Sequence, residues 1–292
     1  MRAPVSYDVR FEWGPAGAAA LAPSSSCLVV VDVLSFSTSV TVAAEAGTRV
    51  YPCARPGESA AEFARSHRAE LAVGRRAVSA ARPWSLSPAA LRRAPFVPRL
   101  VLPSPNGSAI CAAAGAGPGG GVAAGIGLGA AAARGGGADA AEDTGAGAAT
   151  VIAGCLRNAA AVGRFLRGAP GAVTVIAAGE RWPDGSLRPA LEDLLGAGAI
   201  LAALRDLGDL QAPATPGDPG PCVLSPEAEA ARACFEATAN VAAAVSGCAS
   251  GRELIEGGFG DDVAIAVEID ACRLVPVLAD GAFTDGSTSY AP

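Results

Sequence analysis

The chain has 292 residues, enough for one large domain with a substantial core. Its 51% hydrophobic share is inflated by alanine, and Gly, Pro or charge interrupts every apolar run before it reaches membrane-spanning length. With 28 Asp plus Glu against 22 Lys plus Arg and no dense basic run, general nucleic-acid binding is excluded, and a lone histidine, His67, removes two-histidine zinc chemistry.

In chain order, Met1 to Arg10 lacks an uninterrupted apolar core behind Arg2, so no secretory leader is expected and a cytoplasmic setting follows. Strands are predicted over Cys27–Val33, Thr48–Cys53, Phe96–Leu102, Gly121–Gly125, Thr150–Ala153 and Ala172–Ala177. Helices are predicted between them at Ser37–Ala46, Glu58–Ser66, Asn106–Ala114, Arg157–Leu166 and Pro189–Leu207. Two more are expected at Pro226–Ser246 and Gly251–Gly257, with hairpin-like closing strands near Val263–Ile269 and Leu274–Leu278. The alternation predicts an α/β fold, a three-layer α/β/α arrangement over a largely parallel or mixed sheet, as a single domain over 1–292. A Gly/Ala-rich loop is expected around 126–149 and a Pro-rich loop at 211–221. The eight cysteines include no Cys-x-x-Cys pair and read as buried free thiols. Cys155 precedes a predicted helix, where a thiol pKa can fall, but its apolar setting reads as structural. His67, in a polar segment, reads as a solvated helix residue.

Chemistry is carried by carboxylates, hydroxyls and amides. The run Leu28-Val-Val-Val-Asp32-Val-Leu-Ser35-Phe-Ser37-Thr38 places an aspartate where a buried parallel strand ends, the edge at which such sheets hold ligands. Asp32 there caps the next helix, holds a cation or acts in catalysis. Pro103-Ser104-Pro105-Asn106-Gly107-Ser108 follows another strand and offers helix-opening amides to an anion, or is an ordinary Asn-Gly loop. After a third strand, Arg157 offers a planar fork for phosphate or a plain exposed cation, and Asn158 a cap or an oxygen ligand. Gly179-Glu180 ends a fourth strand, and Glu192-Asp193 opens a later helix; paired carboxylates suit a hard cation such as Mg²⁺, though the helix dipole alone favours acids there. Asp261-Asp262 reads as an acidic turn or a further metal ligand.

The order of these motifs resembles the 2-phosphosulfolactate phosphatase (ComB-like) family. Val-Val-Val-Asp32-Val-Leu, Pro-Asn106-Gly-Ser, Arg157-Asn-Ala and Leu-Glu192-Asp193 ahead of Gly-Ala-Gly-Ala-Ile carry the likeness. Ser250-Gly-Arg-Glu-Leu254, Asp261-Asp-Val263 and Leu274-Val-Pro276 continue it over roughly residues 27 to 278. The resemblance implies a three-layer α/β fold and a Mg²⁺-dependent acid phosphatase that cleaves 2-phosphosulfolactate to 3-sulfolactate, a step toward coenzyme M. It places Asp32, Asn106, Gly107, Asn158, Glu192 and Asp193 on recurring motifs. Asp32, Glu192 and Asp193 are the expected metal ligands and catalytic groups; Ser35, Ser37, Thr38, Asn106, Gly107, Ser108, Arg157 and Asn158 are the expected phosphate or substrate contacts. The partner expected is a small phosphorylated organic acid, with no nucleic acid or membrane, and a homo-oligomer is compatible.

Two departures stand out. Ser35 occupies the position of a family arginine, a loss worth about a few kcal/mol of grip on a dianion. Trp84-Ser85-Leu86-Ser87-Pro88 replaces a Gly-Asn-Ser-Pro run. A phosphatase with a different small substrate, or a non-catalytic binding protein of the same fold, are the alternatives. A haloacid-dehalogenase-type phosphatase ranks last, because it expects a second aspartate at position 34, which is Leu34.

Overall fold

A computed structural model describes residues 7–54, 57–115, 148–209 and 222–287. The chain opens with β1 (Val9–Trp13), α1 (Gly14–Leu21), β2 (Cys27–Val31), α2 (Phe36–Glu45), β3 (Arg49–Cys53), α3 (Gly57–His67) and β4 (Glu70–Leu71). It continues through α4 (Pro88–Arg93), β5 (Arg99–Pro103), α5 (Gly107–Gly115), β6 (Thr150–Gly154), α6 (Ala159–Leu166) and β7 (Val173–Ala177). A small ribbon, β8 (Glu180–Arg181) with β9 (Leu187–Arg188), precedes α7 (Leu191–Asp209). The last part holds α8 (Pro226–Ala237), α9 (Val241–Gly247), α10 (Ala249–Glu256), α11 (Gly260–Ala266), β10 (Pro276–Ala279) and β11 (Ala282–Asp285).

Nine strands form one sheet in the order β1-β7-β2-β6-β10-β11-β3-β5-β4. The pairs among β1, β7, β2 and β6 are parallel, as are those among β3, β5 and β4. The antiparallel hairpin β10–β11 is inserted between the two blocks. The sheet is mixed and mostly parallel, with helices on both faces, as the α/β/α expectation required.

Strand β2 shows how the sequence builds these layers. All five of its residues are buried, and successive side chains leave opposite faces. Cys27, Val29 and Val31 join a core with Val162 and Phe165 of α6 and Leu195 and Ile200 of α7. Leu28 and Val30 join a second core with Ala18 of α1, Phe36 and Val40 of α2, and Ile110 of α5. A strand apolar on both faces is what a sheet covered on both sides demands.

Several expectations are corrected. Val263–Ile269 is not a strand: α11 covers Gly260–Ala266, with Asp261 and Asp262 in its first turn, where the dipole favours them. A run of Val, Ala and Ile satisfies either period, and here the helix prevails, with Val263 and Ala266 packed in the main core and Ile265 buried against Val42 and Ala89. The hairpin is instead β10–β11, closed by Asp280-Gly281, both at positive φ, the signature of a tight two-residue turn. The helix expected over Pro226–Ser246 breaks at Thr238–Asn240, where the Asn240 side chain accepts from Ala243 N at 2.9 Å and starts α9. All eight cysteines are free thiols, with Cys222, Cys234 and Cys248 only half-buried. The Gly121–Gly125 strand, most of the 126–149 loop and the 211–221 loop fall outside the described residues. Among the described residues, no helix is long and apolar enough to cross a membrane.

Helix α7 passes close beneath the carboxyl end of β2, and Gly196 permits it. A Cβ there would stand 2.6 Å from Val33 Cγ2 and 3.0 Å from Val31 Cγ1. Gly196→Ala is therefore expected to destabilise the protein by about 1–3 kcal/mol through overpacking, read as a lower urea midpoint at unchanged m-value.

Candidate active site

Asp32 follows the last residue of β2, and both its oxygens are claimed by backbone amides. Oδ1 accepts from Phe36 N at 2.9 Å and Oδ2 from Gly107 N at 3.0 Å. Phe36 and Gly107 are the first residues of α2 and α5, so two helix N-termini converge on one buried carboxylate. The approach needs a glycine: a Cβ on Gly107 would lie 2.2 Å from Phe36 Cδ1. Burial raises the Asp32 carboxyl above its usual range; the two amides and Arg75 pull it back, and Glu192 adds to the rise.

The hydroxyls around Asp32 serve the backbone. Ser37 Oγ donates to Val30 O at 2.8 Å and accepts from Asp32 N, while Thr38 Oγ1 donates to Val33 O at 2.8 Å. Ser108 Oγ bridges Cys53 N and Leu102 O. These three were expected to face phosphate; they are buried and instead fix the loops that present Asp32 and Gly107. Ser35 differs, because its hydroxyl receives a guanidinium N–H from Arg75. The peptide between Leu34 and Ser35 is cis.

A second carboxylate ties β2 to β7. Asp193, in the first turn of α7, accepts from Val33 N at 2.7 Å through Oδ1 and from Gly179 N at 2.8 Å through Oδ2. Burial, then the charges of Glu192 and Asp32, hold its carboxyl well above the ordinary range. Glu192 is buried beside it and accepts from the Cys248 thiol at 3.1 Å. Burial and the Glu192 charge push that thiol up to about 12, so it remains an S–H donor at neutral pH.

Glu180 completes the acidic group. Its Oε2 accepts from Asn106 Nδ2 at 3.0 Å, and burial, followed by the charge of Asp32, pushes its carboxyl up to about 7. Glu180 borders an open cleft of about 560 Å³ also lined by Leu34, Arg75, Ser250, Glu253 and Phe259. Arg188, the strand partner of Glu180 in the ribbon, is closed on Glu253 at 3.0 and 3.4 Å.

The expected residues divide accordingly. Asp32, Glu192, Asp193, Asn106, Gly107 and Ser35 gather at this place. Arg157 does not face an anion there: it is 2% exposed and bonded to Thr41, Glu45 and Glu268, locking α2 to the segment after α11. Asn158 accepts from Cys155 N and donates to Ala153 O and Leu274 O, a structural cap. Burial pushes the Cys155 thiol up, not down. His67 packs between Tyr51 and Phe63, outside the site. Asp262 joins the site through Arg75, whereas Asp261 pairs at the surface with Arg93.

Among the described residues no three His, Cys, Asp or Glu side chains stand close enough to ligate one ion, so Asp32, Glu192 and Asp193 do not form a ready triad. Both Asp193 oxygens already hold amides. Asp32 and Glu192 are the carboxylates left that could hold a cation, which would then complete its shell with water and substrate oxygens. Arg75 is a functional candidate outside every motif, and Glu180, in the Gly179-Glu180 strand end, is given no role by the sequence motifs. Glu180 sits directly after the strand-end Gly179, a usable signal; Arg75 lies in a loop and becomes visible only through tertiary contact.

Residues 136–281 match the family model for 2-phosphosulpholactate phosphatase. No curated protein matches the chain. The matched segment is half of the sequence and carries Glu180, Glu192, Asp193 and Asp262; the chain belongs to this phosphatase family. Asp32 and Asn106 lie before it.

Native Glu180 keeps its proton up to about 7, whereas an unfolded glutamate loses it near 4.5. The native state thus binds more protons across that window, and stability falls as pH rises through it. In metal-free buffer, Glu180→Gln is expected to match wild type at pH 4 and to exceed it by up to about 3 kcal/mol above pH 7, read from melting curves at each pH.

Proposed function

We propose that this family member hydrolyses a small phosphomonoester in the cleft beside Asp32, with Mg²⁺ as its cation and 2-phosphosulfolactate, cleaved to 3-sulfolactate and phosphate, as its substrate. The observation that carries the reading is the gathering of Asp32, Glu180, Glu192 and Asp193 near a guanidinium, where the Glu192 charge raises the carboxyls of Asp32, Glu180 and Asp193 and the Asp32 charge raises those of Glu180 and Asp193. So much like charge is costly to bury without a counter-charge.

Each residue has a part in this scheme. The helix-terminal amides of Phe36 and Gly107 fix Asp32 in one orientation, so that its remaining lone pairs are preorganised. Asp193 is a staple that holds the ends of β2 and β7 together and presents Glu192 beside Asp32. Asp32 and Glu192 are the carboxylates that would hold the metal. Bound there, Mg²⁺ would neutralise phosphate oxygens and acidify a water. Glu180, oriented by Asn106 at the cleft wall, is protonated up to about pH 7 and can deliver that proton to the ester oxygen as the P–O bond breaks.

Phosphate release from 2-phosphosulfolactate tests this directly. Turnover is expected with Mg²⁺ and not with EDTA, and Asp32→Asn is expected to lower kcat/KM by about 10³-fold. Glu192→Gln is expected to demand more Mg²⁺ for half-maximal rate. Turnover of other phosphoesters alone would discard the named substrate and keep the chemistry; silence on a broad phosphoester panel by folded protein would end the reading.

A further inference from the structure

Arg75 is a cation in the lining of the cleft. It opens the turn Arg75–Ala77, on a loop outside the sheet, yet three separate segments hold it. Its Nε donates to Asp262 Oδ2 at 3.0 Å, a terminal N–H donates to Ser35 Oγ, and its guanidinium carbon lies 5.9 Å from the centroid of the Phe259 ring. Asp262 is itself 1% exposed, and its other oxygen accepts from Ser87 Oγ at 2.6 Å and Ala89 N at 3.0 Å.

This is more construction than a stabilising ion pair requires. Surface pairs contribute little, and burying a carboxylate to secure one is rarely a net gain. What the arrangement achieves is orientation. Asp262 and Ser35 occupy Nε and one Nη, and the other Nη has no hydrogen bond to any described residue. The side chain lines the cleft, and its charge reaches Asp32. Arg188, paired with Glu180 in the ribbon, has both terminal nitrogens engaged by Glu253 and Ser250.

We propose that Arg75 binds the phosphoryl group of the substrate in the cleft and that Asp262 is the positioning residue that aims its guanidinium, an assignment that rests on the phosphatase reading above. A fixed fork with one free edge suits a tetrahedral oxyanion, because its planar N–H groups meet phosphate oxygens in defined directions. It also sets a positive charge near Asp32, where it would share a dianion's charge with any cation that the carboxylates hold. Position 35, which carries no charge of its own, is thereby served by a guanidinium forty residues away in sequence.

The test is calorimetric titration of inorganic phosphate in Mg²⁺ buffer, paired with kcat and KM for phosphoester hydrolysis. The proteins compared are wild type, Arg75→Ala, Arg75→Lys, Asp262→Asn and the surface control Arg93→Met, each checked for fold by circular dichroism. Arg75→Ala is expected to weaken phosphate binding and lower kcat/KM by about ten- to a hundredfold, on the scale of one charge-assisted contact. Added guanidinium should recover part of the loss in Arg75→Ala and none in Asp32→Asn, a response that a purely structural role would not give. Asp262→Asn should show a smaller loss in both readouts, and Arg93→Met none. If Arg75→Ala fails to fold, Arg75→Lys answers instead: it keeps the charge and loses the fork, and is expected to bind phosphate several-fold less tightly. Wild-type phosphate affinity in folded Arg75→Ala or Arg75→Lys, or no phosphate binding by wild type, would overturn the assignment. Arg75-dependent phosphate binding without turnover of any phosphoester would instead remove the phosphatase reading and leave the anion site standing.

Discussion

The arrangement depends on one buried carboxylate shared by two helices. Asp32 accepts the first amide of α2 and the first amide of α5, each at about hydrogen-bond optimum. Taking a carboxylate out of water costs several kcal/mol, and two charge-assisted bonds from helix N-termini offset part of it. The remainder shows in the raised proton affinity of Asp32. Because the group is bonded to both helices, neither α2 nor α5 can shift without moving it, and Gly107 has no side chain because Phe36 fills that space.

Asp193 repeats the device one strand over. It bonds Val33 N after β2 and Gly179 N after β7, so the loops that carry Leu34, Ser35 and Glu180 are tied to the first turn of α7. Gly196, one turn on, lets that helix lie close to Val31 and Val33. The two aspartates fix the strand ends and helix termini, and Glu180 and Arg75 border the cleft beside them. Glu180, on the short ribbon, and Arg75, on a loop, reach the cleft from outside the main sheet, while Asp32 and Asp193 hold the strand ends and helix termini together.

The legible part of the sequence was the part governed by local rules. Strand β2, with its continuous apolar run and terminal Asp32, was readable because a doubly covered strand cannot alternate. Helix α7 was readable from Glu192 and Asp193 at its head. β1 escaped notice because Val-Arg-Phe-Glu-Trp alternates over only five residues and joins the sheet at an edge. The Asp280-Gly281 turn carried a clear hairpin signal, and the apolar run before it drew the strand assignment away. Hydroxyls at Ser37, Thr38 and Ser108 look the same in sequence whether they face a ligand or a carbonyl; only burial separates the two. Arg157 and Arg75 illustrate the same limit in reverse. One sat in a motif and proved to be an internal strut, while the other sat in an unremarked loop and reaches Ser35.

The central claim is that the carboxylates around Asp32 exist to hold a divalent cation against a phosphate. Crystals soaked with Mn²⁺ and inorganic phosphate, measured at the manganese edge, test it most directly. The account predicts one anomalous peak within bonding distance of Asp32 or Glu192, with phosphate oxygens completing its shell. Full phosphate occupancy with no manganese near either carboxylate, or manganese bound only elsewhere on the surface, would contradict it.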